Sequence, residues 1–173
     1  MPRVPMVEPD NEPAALKAVF DQLRATRGRV PGMYRTLAHQ PDILAAHRAY
    51  FHAALDAGVL ARPFKEKIAW RVARLRDSEY SAASHYRYAL KHGVAESELA
   101  VIDRGDYTAL PPREAAALQF AEAMVQGQGA VDDATFAALQ AQFNTAEIVE
   151  IATLVGIMEL ASTLGAVFGL APD

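Results

Sequence analysis

The sequence contains no cysteine in 173 residues. That absence excludes disulfides, thiolate-bound zinc, iron–sulfur clusters and any thiol nucleophile. No basic run stands out, and the formal net charge is −4, which is the wrong footprint for a nucleic-acid partner. Long uncharged apolar runs are missing as well. The most apolar stretch, Ile148 to Ala171, is interrupted by Glu150 and Glu159. Its uncharged pieces fall short of the roughly 20 apolar residues that span a bilayer. The N-terminus, Met1-Pro2-Arg3-Val4-Pro5, has no apolar core of a secretory signal. No segment alternates apolar and polar residues between turns, so strands are not expected. The expectation is a cytoplasmic all-α protein with neither a membrane nor a nucleic acid as partner.

What is present suits one globular domain: 51% of residues are hydrophobic and 22% charged. Residues 1–12 hold Pro2, Pro5 and Pro9 among acids and read as an extended arm. A single helical domain over 13–173 follows. Pro13 opens a helix that ends near Gly28, a short helix covers Met33 to His39, and Pro41 starts another that reaches Gly58. Further helices are expected from Arg62 to about Arg76, Ser78 to His92, Ser97 to Ile102, Glu114 to Val125, Asp132 to Phe143 and Thr145 to about Leu170. Asp77 or Ser78, Asp132 or Asp133, and Thr145 are the candidate N-caps. The last helix is apolar on all sides, as expected of a central core helix or a subunit interface. Gly156 and Gly165 would let a second helix come close.

The chemistry-bearing residues concentrate in 62–92. Projected at about 100° per residue, Ser78, Ser81, His85 and His92 fall within an arc of about 60°. Ala82, Tyr86, Ala89 and Leu90 occupy the neighbouring arc and would face the core, whereas Ser84, Arg87 and Lys91 would face water. On the preceding helix Glu66 is the one acid among Lys65, Lys67, Arg71, Arg74 and Arg76. It stands at the edge of an apolar face carrying Ala69, Trp70 and Ala73. A partly buried carboxylate needs a partner. Arg62, one turn earlier, and His85, on the adjoining helix, are both open to it. A Glu–His pair is a competent proton shuttle. A serine nucleophile is not supported, because Ser81 and His85 share one helix with no strand–turn–helix elbow. His39, His47 and His52 match no metal-binding spacing. Trp70, Tyr34 and Tyr50 read as packing residues.

Several stretches resemble the carboxymuconolactone decarboxylase and alkylhydroperoxidase-D-like (AhpD-like) superfamily. They are Met33-Tyr34-Arg35-Thr36-Leu37-Ala38-His39-Gln40-Pro41-Asp42-Ile43-Leu44; Glu66 with Ser78-Glu79-Tyr80-Ser81 and His85, then Ala89 and Gly93-Val94; Pro112-Arg113-Glu114; and Val131-Asp132-Asp133-Ala134-Thr135-Phe136. The likeness spans about residues 30 to 160. In the peroxidase branch a glutamate precedes Cys-x-x-Cys-x-x-x-His by twelve residues. Here Glu66 stands twelve before Ser78, with Ser81 and His85 in register, so both cysteine positions hold serine. Tyr80 stands where the peroxidases often carry a histidine. Thiol peroxidase chemistry needs an attacking thiolate and a resolving thiol, and neither is present.

The resemblance implies an AhpD-like all-helical fold of about eight helices, assembled as a homo-oligomer, trimer or hexamer. It also implies a cofactor-free lyase or decarboxylase acting on a small carboxylate or lactone, with no metal. By the same resemblance Glu66 and His85 would be catalytic, and Ser78, Tyr80 and Ser81 would contact the substrate. A cation for a substrate carboxylate would come from Arg71, or else Arg74 or Arg35. A non-catalytic small-molecule-binding member of the fold is the alternative, and an alkylhydroperoxidase-type antioxidant is the least expected.

Overall fold

Proline and glycine set many of the helix ends. In this computed structural model, which describes residues 2–172, nine α-helices follow one another. Met1 and Asp173, the outer ends of the expected arm and domain, lie outside the described residues. The helices are α1 (Lys17–Arg27, after a 3-10 turn), α2 (Gly32–Leu37), α3 (Pro41–Phe51), α4 (Arg62–Leu75), α5 (Glu79–Lys91), α6 (Glu96–Asp103), α7 (Pro112–Gln126), α8 (Asp133–Gln140) and α9 (Thr145–Phe168). Pro41, Pro63 and Pro112 occupy the first turns of α3, α4 and α7, where a missing N–H leaves no bond unmade. Gly28 ends α1 in the left-handed region at φ 75°. No strand occurs among the described residues.

α1 begins at Lys17 rather than at Pro13 and α2 ends at Leu37 rather than His39, and the boundaries differ from expectation at three further places. α3 stops at Phe51 and its backbone widens into a π turn over His52–Asp56 before Gly58. α8 ends at Gln140, short of Phe143. The cap of α9 is Asn144 rather than Thr145. The Asn144 side chain accepts from the Glu147 N–H at 3.1 Å, and Glu147 accepts from the Asn144 N–H at 3.0 Å. This reciprocal pair satisfies two orphan donors at once, and Thr145 becomes the first helical residue. The caps expected at Ser78 and Asp132 are present.

α4 packs against α5, α7 and α9. Ile68, Ala69 and Val72 of α4 meet Leu118 of α7 and Leu154 and Ile157 of α9, all without solvent exposure. A smaller cluster joins Leu16, Phe20, Leu23, Met33 and Leu44 to Leu170. The N-terminal segment is tied down beside it: the Val7 N–H donates to the Arg35 carbonyl at 3.0 Å, and Arg35 donates back to the Val7 carbonyl at 3.1 Å.

α9 is a core helix on one side only. One side, Ile151, Leu154, Val155, Ile157 and Met158, is core, whereas Val149, Leu160 and Val167 are 57%, 45% and 52% exposed. Among the described residues α9 is the one helix long and apolar enough to cross a membrane by length and composition. Its Glu150, however, is ion-paired inside the domain. The close approach expected at the glycines is not seen, since a Cβ at Gly165 would make an ordinary 3.5 Å contact with the Tyr80 ring and one at Gly156 would meet nothing.

An ion pair fixes where α4 begins. Lys65 is 1% exposed, and its Nζ lies 2.7 Å from Oε1 of Glu150 on α9. Lys65 also donates to the Ala57 carbonyl, and Glu150 accepts from the Val59 N–H at 2.7 Å. Gly58, at φ +90°, lies so close that a Cβ would sit 2.3 Å from Glu150 Oε1. The pair thus locks the turn leading into α4, one residue before Glu66. Removing one partner of a buried pair strands the other charge. Lys65→Met is therefore expected to cost about 3 kcal/mol in urea denaturation. A loss under about 1 kcal/mol would show that the pair contributes little.

Candidate active site

Glu66 lies in the second turn of α4 with no solvent exposure. A carboxylate in that position must have its lone pairs occupied. Both oxygens are: Arg62 donates to Oε1 from Nε at 2.7 Å and reaches it from Nη2 at 2.6 Å, while His85 Nδ1 lies 2.7 Å from Oε2. The two partners left open by the sequence are both taken. Burial pushes the Glu66 carboxyl up, but the adjacent His85 and Arg62 outweigh it, and the net shift is below the ordinary value of 4.5. With Glu66 ionised, Nδ1 of His85 carries the proton and donates it to the hydrogen bond. No protein group among the described residues bonds Nε2, and His85 lines a cavity of about 230 Å³. Arg62 continues outward to Asp56, whose other oxygen meets His52 Nδ1 at 3.3 Å.

The cavity lies between α5 and the N-terminal helices. Tyr80, Ser81 and His85 form one wall, with Tyr34 of α2 and His47 and Phe51 of α3 on the other side. A ladder of rings crosses between them. Tyr34 meets His47 edge-on at 5.9 Å, His47 stacks on Phe51 at 6.0 Å, and Phe51 tilts against His85 at 6.3 Å. Tyr80 also accepts the Met33 N–H at 3.0 Å, which joins α5 to α2.

Not every expected site residue converges here. Ser78 is the N-cap of α5, accepting from the Ser81 N–H at 3.4 Å, and is not in the cavity wall. Arg71 lies elsewhere: it pairs with Glu122 at 3.0 Å, donates to the Asp103 carbonyl at 2.9 Å and sits over the Tyr107 ring. Arg74 is held by Asp103, and Arg35 by Val7 and Glu8. The acids of α6, α7 and the N-terminal segment occupy all three. Arg87 is exposed as expected, at the rim of the cavity, whereas Ser84, expected to face water, is half-buried in its wall beside Arg29 and Pro31 of the α1–α2 connection.

Sequence reading missed Arg27, His47 and Phe51. Their signal was faint: Leu44, His47 and Phe51 share the buried face of α3, so a histidine there interrupts an apolar stripe. No three His, Asp or Glu side chains among the described residues are grouped to hold a metal ion.

Residues 41–123 match the profile of the carboxymuconolactone decarboxylase family. That stretch is similar to the family, and it carries Glu66, Ser78, Ser81 and His85 with no cysteine. No curated protein is detectably similar in sequence. Solved structures agree on the fold. An AhpD-core, peroxidase-related protein from Ralstonia eutropha JMP134 superposes with a TM-score of 0.88 at 23% identity, covering 99% of this chain and 92% of its own. A peroxidase-related protein from Silicibacter sp. TM1040 gives 0.88 at 20% identity, with 99% and 90% covered. A cysteine-to-alanine form of the debrominase Bmp8 in complex with 2,3,4-tribromopyrrole gives 0.87 at 20%, with 99% and 91% covered. The segment that matches the family profile therefore sits within the expected AhpD-like all-α fold, with nine α-helices among the described residues.

The depressed Glu66 carboxyl has a consequence for stability. A group whose folded pKa lies below its unfolded value stabilises the fold above the unfolded value and loses that contribution as pH falls through the folded one. Stability measured by urea midpoint is expected to fall on acidification below about pH 4.5, the ordinary Glu66 value. Glu66→Gln should be less stable at neutral pH and show a shallower acid loss. Parallel acid profiles for the two proteins would exclude this linkage.

Proposed function

We infer that the protein is a cofactor-free lyase that acts on a small carboxylate or lactone by Glu66–His85 proton transfer, with decarboxylation as the reaction of a carboxylate. The observation that carries the reading is the 2.7 Å contact between a fully buried Glu66 and His85 at a cavity, with Nε2 of His85 left unbonded. The family description of residues 41–123 supports the reaction class, and the lack of cysteine removes the thiol route. The Bmp8 neighbour holds 2,3,4-tribromopyrrole, which supports a single substituted ring as the size of guest for this fold. A cavity of roughly 150 Å³ accepts benzene, and this one is larger.

With a carboxylate substrate the C–C bond to the carboxylate breaks, CO₂ departs, and the electron pair stays on carbon. The Nε2–H of protonated His85 gives its proton to that carbon. Glu66 holds Nδ1–H throughout, which fixes the ring and stabilises its charged form. Arg62 keeps Glu66 ionised, so the carboxylate accepts the hydrogen bond without taking the proton. Ser81 and Tyr80 border the same space and supply hydroxyls to the guest.

A homo-oligomer, trimer or hexamer, belongs to this proposal. Exposed Val149, Leu160 and Val167 are joined by Thr153, Gly156 and Thr163 at alternating three- and four-residue spacing along α9. That is the spacing of a helix–helix seam, and light scattering of the purified protein tests it.

The enzymatic reading is tested with small carboxylates and lactones incubated in D₂O, scoring CO₂ release and deuterium at the protonated carbon. His85→Ala should abolish turnover without unfolding the protein, and Glu66→Gln should lower kcat by about 10²-fold or more. Unchanged turnover in His85→Ala overturns the mechanism, and binding without turnover points to the non-catalytic alternative. Hydroperoxide with a dithiol reductant should be consumed only at the background rate.

A further inference from the structure

His47 is the anomaly of the cavity. Its side chain is 8% exposed, and both ring nitrogens are buried with no hydrogen-bond partner among the described residues. A buried polar group left unpaired costs on the order of 1–3 kcal/mol, so a histidine placed there is explained by a ligand that completes it. Burial pushes the imidazole down from its ordinary value, which keeps it neutral at physiological pH, with one donor and one acceptor nitrogen. The ring is held edge-on to Tyr34 and flat against Phe51. It is therefore fixed in orientation without using either nitrogen.

Arg27 is the second anomaly. Its guanidinium lies over Tyr34, Phe51 and Tyr88 at 5.7, 5.9 and 5.4 Å and makes no hydrogen bond or ion pair among the described residues. Three rings position it, and all of its donors remain available. Arg27 and His47 thus bear on the same two rings, Tyr34 and Phe51. Among the described residues no Asp or Glu lines the cavity to compete for Arg27.

We propose that Arg27 and His47 form the recognition half of the cavity, binding a small organic anion with an apolar body: Arg27 takes the carboxylate and His47 hydrogen-bonds a polar atom beside it. This rests on the lyase reading for the reaction and narrows its substrate to a carboxylate over a neutral lactone. It also replaces Arg71, Arg74 and Arg35, which are bonded elsewhere, as the source of the cation.

Binding, read apart from turnover, tests it. About thirty small aliphatic, cyclic and aromatic carboxylates, each with its neutral primary amide, are titrated by ligand-observed NMR and calorimetry. At least one acid should bind the wild-type protein at least about tenfold more tightly than its amide. Arg27→Met, which keeps an apolar stem under the rings, should erase that preference while leaving amide affinity unchanged, and Arg27→Lys should restore part of it. His47→Phe, close in volume and stackable on Phe51, should weaken acid binding about fivefold or more. The His47 nitrogen resonances should also shift when the wild-type protein is saturated. The proposal is overturned if amides bind as tightly as acids, if Arg27→Met stays folded by melting and binds acids unchanged, if no acid in the set binds, or if the His47 resonances do not move. Acid-selective binding with no turnover by any compound sinks the lyase reading and leaves this one standing. Turnover of a neutral lactone without acid preference does the reverse.

Discussion

A carboxylate with no exposure, Glu66, sets the terms for the structure around it. It can be buried ionised only because Arg62 and His85 occupy its two oxygens, and that requirement fixes α4 against α5. The neighbouring residues face the same problem and solve it in other directions. Lys65 pairs with Glu150 of α9, and Lys67 with Glu98 of α6 and Glu114 of α7. Three consecutive charged residues on a helix diverge by about 100° each, so 65, 66 and 67 fan out to different neighbours. The run Lys65-Glu66-Lys67 is buried throughout. Its charges orient the domain, and the catalytic candidate is the member whose partner faces a cavity.

This explains what could be read from the sequence and what could not. Helix ends were legible because proline and glycine act locally: Pro41, Pro63, Pro112 and Gly28 mark them directly. The Glu66–His85 pair was legible because the family frame preserves its spacing through Ser78 and Ser81. The cation was not. Arg71 and Arg74 stand near Glu66 in sequence, yet helical rotation carries them toward Asp103 and Glu122. Arg27, nearly forty residues upstream of Glu66, reaches the cavity only through the packing of α1 and α2 over α3 and α5. His47 was hidden for the related reason that a buried histidine and a satisfied core histidine look alike until hydrogen-bond partners can be counted.

The serine substitutions separate two properties that a cysteine pair would combine. Ser78 caps α5 and Ser81 borders the cavity, so the helix start that would present thiols is kept as scaffold while the redox chemistry is gone. On the proposed reading, what persists is the proton-handling part, His85 with Glu66 behind it. An imidazole held by a buried carboxylate needs no second turnover partner, whereas a dithiol needs a reductant. The fold can therefore lose its redox pair and keep a self-contained acid–base site.

On the proposed reading, the charge distribution also bears on rate. Decarboxylation moves negative charge from the carboxylate to the carbon it leaves. A cation that gripped the carboxylate equally in ground and transition states would tighten binding without accelerating the step. The gain must come from the group that meets charge as it develops, and that is the Nε2–H of His85. Arg27 is held by rings rather than by an acid, so it pays nothing to leave a partner when an anion arrives. Glu66 has its charge already matched by Arg62, so it does not repel that anion. The site thus divides its labour: attraction at Arg27, and proton donation at His85 where the new charge appears.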